Sequence, residues 1–81
     1  MPGTPKQPLS PATIEFGRRV RARRNVLGLS QEQLAERAGL HWTYIGQVER
    51  GRSNVTLHSM LRIAAAVECD VGDLVRGISM P

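Results

Sequence analysis

Apolar residues along this chain recur at helical spacing, and no segment alternates like a strand. Ser10 followed by Pro11 reads as an N-cap with proline at the first helical position, opening a helix that runs to about Leu27. Phe16, Val20 and Leu27 fall on one side of it, and Gly28 can end it with a positive φ. Ser30 to Gln33 has the S-x-x-Q form of a capping box, which starts a second helix with Leu34, Ala35 and Ala38 inward and Gly39 at its end. A third helix is predicted from about Trp42 to Glu49, with Ile45 and Val48 as its apolar pair and Gly51 closing it. Residues 52–55 form a polar loop. Thr56 caps a fourth helix whose predicted inner face is Leu57, Met60, Ile63, Ala64 and Val67. Asp70 can cap a short fifth helix holding Val71, Leu74 and Val75. The expected class is all-α, with five short helices.

Composition limits this reading to one small domain. The chain has 81 residues, of which 41% are hydrophobic and 4% aromatic, so its core must be aliphatic and close-packed. Four of the five prolines lie in residues 1–11, where neither a helix nor a packed strand fits. We therefore expect a flexible Pro-rich tail over 1–11, loosest over 1–9, and a helical domain over 12–78. One cysteine excludes an internal disulfide framework, and no apolar run reaches membrane-spanning length. With no signal-peptide pattern either, the expected location is the cytoplasm.

Charge adds a direction. The formal net charge is +4, and residues 14–24 alone carry that much through Arg18, Arg19, Arg21, Arg23 and Arg24 against Glu15. Such a patch attracts polyanions, nucleic acid foremost; the same run also fits a solvated helix face. Helices two and three, joined by a very short turn around Gly39 and Leu40, form a helix-turn-helix, the geometry that lays the second helix in the DNA major groove. Spacing of this kind also occurs in ordinary helical hairpins.

The residues themselves go further. Gly28 to Ala35 (GLSQEQLA), the turn Ala38-Gly39-Leu40, and Thr43 to Gly51 (TYIGQVERG) followed by Asn54 and Thr56-Leu57 together resemble the Cro/repressor-type helix-turn-helix family. Arg62-Ile63-Ala64-Ala65-Ala66 and Asp73-Leu74 resemble its closing helices, so the likeness spans roughly residues 13–76. Within the family, the Thr-Tyr-Ile-Gly run and the Glu-Arg-Gly-x-x-Asn exit look most like controller proteins of restriction–modification systems. The resemblance implies a lambda-repressor-like five-helix fold and a sequence-specific transcriptional regulator that binds a symmetric DNA operator as a homodimer.

It also implies roles. His41, Trp42 and Thr43 at the start of helix three, with Gly46 and Gln47 one turn later, would face the bases. Ser30, Gln31, Tyr44, Arg50, Arg52, Ser53 and Asn54 would meet phosphates, and Arg24 would pair with Glu49 to orient the recognition helix. Gln47 has the donor–acceptor pair for adenine N6 and N7, although it also suits a solvated surface. Thr43 can serve a base, a phosphate or the local helix end. Gly46 can permit close approach to DNA or to a neighbouring helix. Trp42 departs from the arginine more usual in controller-like sequences, which leaves the operator open. Val71, Leu74, Val75 and Ile78 form the expected dimer surface.

Nothing in the sequence points to catalysis. Cys69 holds an apolar-periodic position, His41 and His58 have no cysteine partner at metal spacing, and Gly51-Arg52-Ser53 lacks phosphate-loop spacing. No enzyme activity, metal, cofactor or small-molecule ligand is therefore expected. The competing class is a protein-interaction module, such as an antitoxin or adaptor on the same fold.

Overall fold

Five helices form among the described residues, and four of them begin at a residue whose side chain caps the helix. The computed structural model describes residues 7–80, with α1 at Pro11–Val26, α2 at Gln31–Ala38, α3 at Trp42–Glu49, α4 at Leu57–Ala66 and α5 at Val71–Val75. There is no strand among the described residues. Ser10 and Thr13 exchange side-chain and backbone bonds in a full capping box at the start of α1, and Ser30 and Gln33 do the same for α2. Thr56 accepts from the Ser59 N–H and caps α4. Asp70 occupies the N-cap position of α5, but its side chain makes no cap bond, contrary to the sequence reading.

Pro11 is the first helical residue, where the Ser10–Pro11 cap places it, and the Leu9 N–H donates to the Gly51 carbonyl at 2.8 Å. The Thr13 hydroxyl donates to the same carbonyl at 2.7 Å. The folded unit thus takes in residues 9–11, which dock on the end of α3. Residues 1–6 of the expected tail lie outside the described residues.

The core joins all five helices: Phe16 and Val20 from α1, Leu34, Ala35 and Ala38 from α2, Ile45 and Val48 from α3, Ile63, Ala64 and Ala66 from α4, Val67 just beyond it, and Leu74 from α5. Two assignments change. Leu57 is 62% exposed, because it opens α4 one turn before that helix meets the core. Leu74 is only 1% exposed within the single chain, so it is a core residue and is not available to a dimer surface. Of the other residues assigned to that surface, Val71 and Ile78 pack partly on the core and Val75 is 37% exposed.

Helix ends are closed by arginines from distant elements. Arg19 donates to the Arg76 carbonyl, Arg23 to those of Val67 and Glu68, Arg37 to that of Ala66, and Arg62 to that of Ala38. These carbonyls lie at helix C-terminal ends, where no intrahelical donor reaches. Arg18 and Arg19 also grip Glu15, holding its carboxyl down to about 2. The basic run of α1 is therefore largely occupied inside the molecule. No helix among the described residues is long and apolar enough to cross a membrane.

Gly17 sets the spacing between α1 and α3. A Cβ there would collide with the Val48 carbonyl oxygen and lie 2.8 Å from that of Glu49. Neither obstacle is a movable side chain, so Gly17→Ala must push the helices apart. The expected loss is about 3 kcal/mol, at the upper end of overpacking costs, read as a lowered urea midpoint.

Candidate nucleic-acid interface

The interface is built on the turn between α2 and α3. Gly39 takes a left-handed conformation (φ 68°) that L side chains rarely adopt, and it ends α2 abruptly enough for α3 to start at Trp42. Gly51 (φ 72°) ends the third helix, and a Cβ on it would lie 2.8 Å from the Ile14 Cα of α1. Both ends of α3 are thus set by glycine.

Its orientation rests on a buried ion pair. Arg24 Nε donates to Glu49 Oε2 at 2.6 Å and Arg24 Nη2 to Oε1 at 3.0 Å. The third guanidinium nitrogen, Nη1, donates to the Leu29 carbonyl at 2.8 Å, just before α2. The two side chains are 12% and 2% exposed. Glu49 Oε1 also accepts from Gln31 Nε2 at 3.1 Å. One network therefore ties α1, the start of α2 and the end of α3 together.

At the other end of α3, His41 caps the helix through its ring. The Thr43 N–H donates to His41 Nδ1 at 3.1 Å, and Thr43 Oγ1 lies 2.6 Å from the same nitrogen. A backbone N–H can only donate, so Nδ1 is the acceptor and the proton of the neutral ring sits on Nε2. Trp42 stacks on His41 with centroids 5.9 Å apart and planes at 26°. His41, Trp42 and Thr43 are all exposed, Trp42 by 52%. They form one clustered edge, and Thr43 takes part in the local helix-end bonding.

The remaining residues separate. Tyr44 is half-buried against the core. Gln47 is half-buried, and its Oε1 has no partner among the described residues. The Arg52 N–H donates to the Gln47 carbonyl at 2.9 Å, and Arg52 Nε is likewise buried without a partner. Ser30 is exposed but uses its hydroxyl as the α2 cap, beside a half-buried Gln31. Arg50 is exposed, Ser53 half-buried, and Asn54 exposed beside an apolar groove lined by Phe16, Val55, Met60, Val75 and Ile78. Gly46 does not face outward: it is buried, with the Arg50 guanidinium and the Gln31 amide lying over it. That arrangement replaces the base-contact role assigned to it from the sequence. Cys69 is half-buried, and burial pushes its thiol up.

A short, buttressed second helix with a polar, exposed leading edge defines a DNA-binding helix-turn-helix domain. The chain belongs to the helix-turn-helix family of XRE type, which matches residues 20–74. It is 54% identical over 56 residues to the control protein C.SmaI of Serratia marcescens, covering 69% of this chain and 67% of that one. The restriction–modification controller protein C.AhdI from Aeromonas hydrophila superposes with a TM-score of 0.75 at 44% identity, over 76% of this chain and 94% of that chain. The P22 c2 repressor, solved in complex with a synthetic operator, superposes at 0.72 with 31% identity over the same shares.

The ion pair yields a direct test. Glu49→Ala leaves Arg24 buried without its carboxylate and releases Gln31. The expected loss is about 3–5 kcal/mol in chemical unfolding, and an unchanged midpoint would refute the structural role.

Proposed function

We propose that this protein is a dimeric, sequence-specific transcriptional regulator of the controller type, reading a symmetric DNA operator. The observation that carries this reading is the leading edge of α3. His41, Trp42 and Thr43 stand exposed on a helix that a buried ion pair holds in place. His41 Nε2–H is a donor suited to guanine O6 or a purine N7. Thr43 lies next to it. The Gln47 amide oxygen has no partner among the described residues, so rotation of the side chain can offer its acceptor and donor to adenine N6 and N7. Behind this edge, Gln31, Arg50 and Arg52 supply phosphate contacts, with Ser30, Tyr44, Ser53 and Asn54 around them.

Affinity for the upstream promoter region and for a scrambled duplex, measured across a salt series, tests the assignment. Arg52→Ala should weaken both duplexes and flatten the slope of log affinity against log salt by about 0.9 per lost phosphate contact. Gln47→Ala should spare the scrambled duplex and cost about 1–3 kcal/mol per half-site on the operator. Equal affinity of the wild-type protein for both duplexes would remove sequence-specific regulation and favour a protein-interaction role.

A recognition helix of eight residues reads few bases, and a two-fold dimer doubles the count by spacing two half-sites about 34–36 Å apart. With Leu74 in the core, the dimer surface shifts to the exposed Val75 and to Leu57 and Leu61, which stand exposed one turn apart on α4. Val71 and Ile78 are partly buried against the core. Leu61→Asp should give a folded monomer in sedimentation at micromolar concentration, whereas Leu74→Asp should unfold the chain. A wild-type protein that sediments only as a monomer would overturn the dimer.

A further inference from the structure

Gly46 is the fifth of the eight residues of α3, an interior position where glycine is a poor helix former. It is buried, yet the groups around it are polar. A Cβ on Gly46 would stand 3.0 Å from Arg50 Nη1, 3.9 Å from Arg50 Cζ and 3.6 Å from Gln31 Oε1. Arg50 lies one turn further along, so its guanidinium folds back over the helix. Gln31 approaches from α2. Its Nε2 is held by Glu49 Oε1 at 3.1 Å, and its Oε1 is among the atoms nearest that same spot.

Arg50 differs from the arginines that close helix ends. Its guanidinium makes no hydrogen bond or ion pair among the described residues, so only the shape of the surface beneath it favours the folded-back pose. We infer that Gly46 is a positioning residue: its missing side chain is the slot that seats the Arg50 guanidinium beside Gln31, ready for one backbone phosphate. The inference rests on the DNA-binding reading and specifies how its phosphate contact is arranged. A planar guanidinium grips a phosphate through two parallel N–H bonds, and one already seated loses less side-chain freedom on binding. Glycine at 46 thus sacrifices helix stability for a prepared cation.

The experiment compares Gly46→Ala and Gly46→Leu in the wild-type and Arg50→Ala backgrounds, measuring melting temperature and affinity for promoter and scrambled duplexes across a salt series. Gly46→Ala should raise the melting temperature by about 4 °C, since only a side-chain end must move. It should also weaken both duplexes. Gly46→Leu, which fills the slot, should weaken both by about tenfold per half-site and flatten the salt slope to that of Arg50→Ala. In the Arg50→Ala background neither substitution should change affinity further. Wild-type affinity and slope in folded Gly46→Leu would overturn the inference. So would an undiminished loss in the Arg50→Ala background, which would mean that the new side chain strikes DNA directly. If the wild-type protein binds neither duplex, the DNA-binding reading falls first and this inference falls with it.

Discussion

Burying Arg24 and Glu49 together commits this small chain to one arrangement of three helices. Removing two charges from water is costly, and the cost is met only where every strong hydrogen-bonding direction finds a partner. Arg24 gives two bonds to Glu49 and one to the Leu29 carbonyl, while Glu49 also accepts from Gln31. A slipped or rotated α3 would leave a charge buried without its partner. An apolar pair of the same volume would tolerate such slippage. The pair therefore contributes less to net stability than to the precision with which α3 is aimed.

The same economy of polar groups explains the fate of the arginines. Five short helices leave many C-terminal carbonyls exposed for so few residues, and glycine caps serve only some of them. Arg19, Arg23, Arg37 and Arg62 reach across from other elements to the rest. Part of a charged run that reads in sequence as a polyanion patch, Arg19 and Arg23, is thereby engaged by the molecule's own helix ends. Arg50 and Arg52, which follow the recognition helix, keep side chains with no ion-pair partner among the described residues. Net charge reports the total number of cations, and the fold decides which of them face a partner.

Glycines divide the same way. Gly39 and Gly51 follow helical runs and carry positive φ, so their roles follow from local chain geometry. Gly17 and Gly46 lie inside helices, where local rules count them only as weak points. Their reasons lie in side-chain and interhelical packing: the Val48 and Glu49 carbonyls of α3 press on one, and Arg50 from the next turn and Gln31 from α2 cover the other.

Helix positions were legible from residues alone, because caps such as Ser10, Ser30 and Thr56 and terminators such as Gly39 act within a few residues of chain. The core stripes Leu34-Ala35-Ala38 and Ile45-Val48 were equally legible, since one face of a short helix must leave water. The family likeness named the Arg24–Glu49 pair and the exposed edge at 41–43 because those positions carry distinctive residue types. Tertiary structure alone decided that Leu74 is spent inside the chain while Leu57 and Leu61 stay outside. It also decided that Gln31 of α2 reaches over Gly46, and that Arg19 and Arg23 of α1 close helix ends. Each of these depends on what arrives from an element distant in sequence, and helical periodicity carries no information about that neighbour.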